Sequence, residues 1–164
     1  MASHEVYLSL GSNMGRKLEQ CHCAVSEIEK RGIAKIISLS SFYQTEPMDY
    51  KEQDWFVNGA ARIETFLGPM DLLKALKTLE KDLGTPEKIV RYGPRTIDLD
   101  ILLYDDCIFR ENELNIPHER MHERAFVLVP LCDIAPDKVH PVLKKTIKEL
   151  LGNIDLKSQG VIPV

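Results

Sequence analysis

The order of the hydrophobic periodicities along this chain of 164 residues limits its fold more than any other property of the sequence. A strand-like alternation comes first, and a helical repeat, two further strand-like runs, a second helical repeat and another strand pattern follow it. The corresponding residues are 5–10, 17–31, 33–43, 55–66, 69–83 and 96–104. The order β-α-β-β-α-β predicts an α+β protein with an antiparallel sheet and both helices on one face, which is the ferredoxin-like architecture.

A C-terminal extension follows this βαββαβ core. We expect a short hairpin at 107–109 and 114–116 and a helix near 143–151, separated by an apolar stretch that contains prolines. Because both core helices cover the same face of the sheet, the opposite face would stay exposed unless other segments wall it. We therefore expect the extension and the loops to form a cleft on that face.

The composition favours a single globular domain that spans residues 1–164 and excludes several classes of protein. No segment is apolar over a length that could span a bilayer, so we expect no membrane partner. The net charge of −4 argues against a general nucleic-acid binder, which would usually present a basic face. The N-terminus has neither the basic nor the apolar region of a secretory signal, and we expect a cytoplasmic protein.

Two aspartates lie inside the last strand pattern of the core, where Asp98 and Asp100 alternate with Leu99 and Ile101. Side chains two residues apart share one face of a strand, so both carboxylates would point away from the core, with Cα atoms about 7 Å apart. Such a pair is unfavourable in a strand on its own. Mg²⁺ is typically held by one or two carboxylates together with substrate phosphates. The spacing is therefore compatible with a magnesium site.

Cations and an aromatic residue accompany the aspartates. Arg95, Arg91 and Lys88 precede them and could meet phosphate charge that a metal leaves unbalanced. Phe56 and Asn58 face outward from a neighbouring strand, where they would suit contact with a ligand. The spacing alone leaves two alternatives open, which are solvated aspartates paired with Arg95 on the surface and ordinary sheet packing of Phe56 and Asn58.

The fuller string from Gly93 to Leu102, GPRTIDLDIL, resembles the signature of the 6-hydroxymethyl-7,8-dihydropterin pyrophosphokinases, which are enzymes of folate synthesis. Further ordered matches to this family lie at 11–13, 41–45, 58–60, 117–118, 123–128, 130–131 and 134–136. The resemblance thus covers nearly the whole chain. It implies a ferredoxin-like fold, two Mg²⁺ ions, and transfer of the terminal pyrophosphate of ATP to the hydroxymethyl group of the pterin with release of AMP.

The resemblance also implies roles for particular residues. Asp98 and Asp100 match the magnesium-binding pair, and with Arg95 they form the implied catalytic set. The implied nucleotide-binding residues are Lys88, Arg91, Tyr92, Arg95, Ile101, His118 and Arg124. The implied pterin-binding residues are Thr45, Met48, Phe56, Asn58 and Phe126, and the rings of Phe56 and Phe126 match the pair that sandwiches the pterin.

Each of these residues also has an ordinary interpretation. Phe126 could belong to the core, His118 could lie on the surface or cap a turn, and Glu80 on the second helix could be a solvated carboxylate. Two departures from the family pattern stand out. Family members often have an aromatic hydroxyl at the position of Phe56, and an arginine often follows the glycine that ends the second helix, where this chain has Thr85. We expect one polar contact fewer to the pterin and one cation fewer over ATP.

Two other functions compete with pyrophosphoryl transfer. An ordinary kinase or a nucleotidyltransferase could use the same acidic pair. A kinase would release ADP and a nucleotidyltransferase would release free pyrophosphate, whereas a pyrophosphokinase releases AMP and forms a pterin diphosphate. A ferredoxin-like module that binds RNA or senses a ligand would need no catalysis, but its sheet should carry basic and aromatic contacts instead of two aspartates.

Overall fold

The computed structural model describes residues 2–49, 51–84, 96–111 and 113–164. Within these residues the strands are β1 (His4–Ser12), β2 (Lys35–Leu39), β3 (Tyr43–Thr45), β4 (Phe56–Thr65), β5 (Asp98–Tyr104), β6 (Phe109–Glu111), β7 (Leu114–Ile116) and β8 (Val161–Pro163). The α-helices are α1 (Lys17–Lys30), α2 (Pro69–Asp82), α3 (Ala125–Ile134) and α4 (Ile147–Gly152), and a 3₁₀ turn spans Met121–Glu123. The predicted core elements are all present, with bounds that differ by a few residues.

The main sheet is antiparallel, with the order β5-β1-β4-β3-β8 among the described residues, and β2 also pairs with β4. Its centre is the long pairing of β1 with β4, which runs from His4 opposite Thr65 to Ser12 opposite Val57. β5 lies at one end of the sheet beside β1. The predicted α+β class and ferredoxin-like architecture are confirmed.

The larger hydrophobic core lies between the sheet and helices α1 and α2. Val6, Leu8 and Leu10 of β1 are fully buried there, and Leu99 and Ile101 of β5 pack into the same core. The helices contribute buried residues of the two stripes that the periodicity predicts, Cys21 and Ile28 from α1 and Leu72, Leu76 and Leu79 from α2. Ala24 of α1, which was not predicted, is buried with them. Because strand side chains alternate between faces, the residues between these positions point to the opposite side of the sheet.

A second apolar cluster covers part of that opposite face. Helices α3 and α4 pack there on Tyr7, Ala60 and Leu102. This confirms that the C-terminal extension walls the face that α1 and α2 leave exposed. Helix α3 itself was not predicted, since Pro130 lies inside it and its apolar residues do not form a one-sided stripe.

The predicted strand at 33–43 divides into β2 and β3. Between them, the backbone N–H of Ser40 donates to the carbonyl of Ala60, and the N–H of Ala60 donates to the Ser40 hydroxyl oxygen at 2.8 Å. The chain therefore stays attached to β4 while it changes direction. The predicted hairpin is present as β6 and β7, and the predicted C-terminal helix begins four residues later, at Ile147.

No helix in the described part of the chain is long and apolar enough to cross a membrane. The cytoplasmic location stays a prediction.

The Gly59→Ala substitution tests how closely β4 packs against the core. A Cβ atom at Gly59 would lie 2.5 Å from Cε1 and 2.6 Å from Cδ1 of Phe42, which is buried. Because the added methyl group must push a buried ring aside, we expect a loss of about 1–3 kcal/mol in the free energy of unfolding, measured by urea denaturation. Gly152→Ala is the control, since nothing lies within 4 Å of its Cβ position. Equal effects of the two substitutions would contradict the packing described here.

Candidate active site

A cavity of about 680 Å³ opens at the β5 end of the sheet, on the face that lies opposite the larger core. Its walls come from the end of β1, the segment that follows β3, the beginnings of β4 and β5, the last turns of α2, and residues 113–126. It therefore joins parts of the chain that are far apart in sequence. The predicted cleft is present where the sequence placed it.

Asp98 and Asp100 form part of the cavity wall. In the pairing of β5 with β1, Asp98 lies opposite Gly11 and Asp100 lies opposite Ser9. Their neighbour Leu99 is fully buried in the core, so the two carboxylates lie on the cavity face, as the alternation predicts. Both side chains are half-buried, which distinguishes them from the fully solvated aspartates of the ordinary interpretation.

Glu80 of α2 holds the free edge of β5 beside these aspartates. Because β5 is an end strand, every second backbone N–H points away from the sheet. The N–H of Leu99 donates to Oε2 of Glu80 at 2.7 Å, and Nζ of Lys77 lies 3.1 Å from Oε1 of the same carboxylate. Glu80 is only 6% exposed. The expectation of a solvated Glu80 was wrong, because the helix turns this residue toward the strand edge instead of toward water.

The charges around Glu80 are strongly coupled. Burial is the main reason that the pKa of Glu80 is raised to about 7; Lys77 and the Leu99 N–H act to lower the pKa, and the charge of Asp98 acts to raise it. Burial lowers the pKa of Lys77, but the carboxylates of Glu80, Asp100 and Asp98 outweigh it and leave a net increase. Lys77 is thus an ammonium group near three acidic side chains at one end of the cavity.

Asn58 is fixed at the other end of the cavity. Its Oδ1 accepts a hydrogen bond from the Thr45 hydroxyl, and its Nδ2 donates to the carbonyl of Leu10 at 3.2 Å. A Cβ atom at Gly11 would lie 2.5 Å from this Nδ2, so only glycine lets the amide cross over β1. The ring of Phe56 lies beside the same position, 3.7 Å from where that Cβ would be. The result is an immobilised amide next to an aromatic ring.

Salt bridges across the cavity mouth connect the wall formed by residues 45–49 to the wall formed by residues 118–126. The carboxylate of Asp49 lies 3.2 Å from Nη2 of Arg120 and 3.6 Å from Nη2 of Arg124. The guanidinium of Arg124 lies 5.4 Å from the centre of the Phe126 ring. Phe126 is half-buried and lines the cavity, so it does not belong wholly to the core.

His118 lines the cavity with its backbone tied to β5. Its N–H donates to the carbonyl of Leu102 at 2.9 Å, and its Nδ1 accepts from the N–H of Arg120 at 3.3 Å. Burial, helped by the positive charge of Arg124, lowers the pKa of His118 to about 4. The imidazole is therefore neutral at pH 7, and it contributes hydrogen bonds to the cavity without adding a charge.

Ten of the residues singled out from the sequence line this one cavity. They are Thr45, Met48, Phe56, Asn58, Asp98, Asp100, Ile101, His118, Arg124 and Phe126. Lys88, Arg91, Tyr92 and Arg95 lie outside the described residues.

Sequence reasoning missed Asp49, Lys77, Lys81 and Arg120, which also line the cavity. Lys77 precedes Glu80 by one helical turn, which places both on the same side of α2. That spacing was a usable signal for the pair. Asp49 and Arg120 are 71 residues apart in the sequence, and no local pattern predicts such a contact.

Residues 7–136 match the model of the family described as 7,8-dihydro-6-hydroxymethylpterin-pyrophosphokinase (HPPK). The chain is 43% identical to the 2-amino-4-hydroxy-6-hydroxymethyldihydropteridine pyrophosphokinase of Haemophilus influenzae, over 92% of this chain and 96% of that protein. It is 44% identical to the folic acid synthesis protein of Schizosaccharomyces pombe, over 94% of this chain but only 21% of that protein. The chain thus spans about a fifth of the length of this longer relative.

The fold is also similar to that of a solved structure, the wild-type HPPK-DHPS of Plasmodium falciparum crystallised with pteroate. The TM-score is 0.73, over 92% of this chain and 42% of that chain. The sequences are 18% identical, so this likeness bears on the fold alone.

The His118→Asn substitution tests the burial of this imidazole. The pKa of His118 is about 4 in the folded chain and near 6.5 in the unfolded chain. Its contribution to the free energy of unfolding is therefore complete above about pH 6.5 and is lost as the pH falls from about 6.5 towards 4. Between pH 7 and pH 5 the wild-type free energy of unfolding should fall by about 2 kcal/mol more than that of His118→Asn. Asn can still accept from the Arg120 N–H, which keeps the local structure. Urea denaturation at the two pH values provides the measurement, and parallel pH profiles would contradict it.

Proposed function

Because the chain belongs to the 7,8-dihydro-6-hydroxymethylpterin-pyrophosphokinase family, we propose that it transfers the terminal pyrophosphate of ATP to the hydroxymethyl group of 6-hydroxymethyl-7,8-dihydropterin and releases AMP. One observation carries the proposal. A single cavity has a carboxylate pair at one end and a fixed amide between aromatic residues at the other. In this proposal residues 1–164 act as one pyrophosphokinase domain with two substrates and no nucleic acid.

The amide end of the cavity suits a pterin. Phe56 and Phe126 present aromatic faces to the cavity, and a planar bicyclic ring could stack between them. Nδ2 of Asn58 carries two hydrogens, and among the described residues only the Leu10 carbonyl accepts one, so the other can bond the ring edge. Thr45 orients this amide, and the backbone near Met48 would complete the polar contacts. The hydroxyl that other family members have at Phe56 would be lost here.

The β5 edge suits the base of a nucleotide. Ile101 lies two residues after Leu99, so its backbone N–H and C=O point away from β1 in the same way. These groups can pair with the donor and acceptor on the edge of adenine. His118, which is neutral at pH 7, would add a hydrogen bond, and Arg124 would add positive charge. Lys88, Arg91, Tyr92 and Arg95 are proposed to contact the phosphates on the basis of the family resemblance alone.

Asp98 and Asp100 are the residues that fit magnesium. Among the described residues there is no group of three or more histidine, cysteine or carboxylate side chains placed to hold a metal ion by themselves. Two neighbouring carboxylates beside space for a triphosphate are the usual arrangement for Mg²⁺, which takes its remaining ligands from phosphates and water. We propose two Mg²⁺ ions, as the family resemblance implies. When bound, they would neutralise and polarise phosphate oxygens.

The chain's own residues act mainly by positioning and charge. Phosphoryl chemistry requires no nucleophilic side chain, because the acceptor is the hydroxymethyl oxygen of the pterin. Stacking on Phe56 and Phe126, with the hydrogen bond from Asn58, would direct this oxygen at the β-phosphorus, in line with the bond to the leaving AMP. Lys77 and the proposed Arg95 would balance negative charge as AMP departs. The walls formed by 45–49 and 118–126 would limit the access of water.

Incubation with ATP, Mg²⁺ and reduced hydroxymethylpterin tests the proposed function. AMP and a pterin diphosphate in equal amounts are expected. ADP would indicate an ordinary kinase, and free pyrophosphate would indicate nucleotidyl transfer. Calorimetry that detects no magnesium-dependent binding of ATP would instead favour a module without catalysis.

Neutralising either aspartate should abolish turnover. Asp98→Asn and Asp100→Asn keep the size of the side chain but remove the charge that would hold the cation, and we expect AMP formation to fall at least about a thousandfold. Asp106→Asn is the matched control, since this exposed aspartate follows β5 and pairs only with Lys138 at 3.0 Å among the described contacts. A variant at position 98 or 100 with near-normal AMP formation would rule out the metal role.

A further inference from the structure

The side-chain amide of Gln159 connects the C-terminal segment to the wall that carries Phe126. Its Oε1 accepts from the backbone N–H of Ala125 at 2.8 Å, and its Nε2 donates to the carbonyl of Glu123 at 2.9 Å. The two bonded backbone groups flank a single residue, Arg124. The amide thus bonds the backbone on both sides of Arg124, as a neighbouring β-strand would.

These two bonds fix the conformation at the start of α3. Arg124 is the N-cap residue, has an extended backbone with φ −115° and ψ 110°, and makes no capping hydrogen bond with its own side chain. The N–H of Ala125 is one of the donors that a helix cannot satisfy internally, and Gln159 satisfies it. Both Arg124 and Phe126 line the cavity. Gln159 therefore sets the backbone from which these two side chains project.

The next residues tie the same segment to the other wall. The carbonyl of Gly160 accepts from the N–H of Glu46 at 2.9 Å, and Val161 lies opposite Thr45 in the pairing of β8 with β3. A Cβ atom at Gly160 would lie 3.0 Å from the ring of Trp55, the residue before Phe56. Residues 159–161 therefore contact the segments next to Phe126 and next to Phe56, the residues that form the two aromatic walls of the cavity.

We propose that Gln159 is a positioning residue that holds the Phe126 wall at the correct distance from the Phe56 wall for a pterin. The inference rests on the proposed function, because it assigns the space between these walls to the pterin ring. The nucleotide end is built mainly on β5 and α2, which Gln159 does not contact in the described structure. Of the proposed nucleotide residues, Gln159 supports Arg124, but the side chain of Arg124 is also held by Asp49, whose carboxylate lies 3.6 Å from its Nη2. Loss of the Gln159 link should therefore weaken pterin binding selectively.

The Gln159→Glu variant separates positioning from general stability. A carboxylate keeps the acceptor for the Ala125 N–H and is favourable near a helix N-terminus, but it cannot donate to the Glu123 carbonyl. We expect the KM for the pterin to rise about tenfold, which corresponds to the loss of one or two hydrogen bonds, while the KM for ATP changes less than about twofold. Gln159→Ala, which loses both bonds, should raise the pterin KM at least as much.

Ser158→Ala is the matched control, because among the described residues the Ser158 hydroxyl bonds only the carbonyl of Asp155, at 2.9 Å, and Ser158 does not line the cavity. It should leave both KM values unchanged. An unchanged pterin KM in a folded Gln159 variant, or an equal rise in both KM values, would overturn the positioning role. Failure of both Gln159 variants to melt cooperatively would also overturn it, because Gln159 would then serve the fold as a whole.

The same assay separates this inference from the proposed function. If the wild-type chain forms no AMP, the proposed function fails at once. If the wild-type chain is active and the Gln159 variants keep its pterin KM, only the positioning role fails.

Discussion

The alternation of side chains at the start of β5, from Asp98 to Ile101, is the constraint on which the site depends. Leu99 and Ile101 are 0% and 3% exposed because they pack into the core beneath the sheet, so Asp98 and Asp100 must face the cavity. A shift of one residue in the register of β5 against β1 would bury both carboxylates among leucines, at a large cost in desolvation. The burial of two apolar side chains thus fixes the direction of the two charged ones.

Periodicity and the short turn signals were enough to predict the core of the fold. The alternation in β1 and β4, the leucine stripe of α2 and the glycine that follows it all agree with the structure, because one buried face dictates each pattern. The residues of the candidate site needed more than periodicity. Asp98 and Asp100 could be selected from their own spacing, whereas His118, Arg124 and Phe126 were selected only by resemblance to a family.

The features that the sequence did not reveal depend on contacts between distant segments. Helix α3 contains Pro130, which local reasoning treats as a break, but burial of its apolar residues against β4 and α4 stabilises it. Strand β8 has three residues and exists because it pairs with β3. Asp49 bonds Arg120, 71 residues away, and Gln159 bonds Ala125, 34 residues away. Contacts at such separations produce no local sequence pattern.

The proposed metal site gives a physical reason for two aspartates on one face of a strand. Asp98, Asp100 and the buried Glu80 repel one another, and burial together with the charge of Asp98 holds the pKa of Glu80 near 7. The ammonium group of Lys77, 3.1 Å from the Glu80 carboxyl group, offsets part of this repulsion. A divalent cation bound beside the aspartates, as proposed, would reduce this repulsion further and would therefore bind the folded chain better than the unfolded chain.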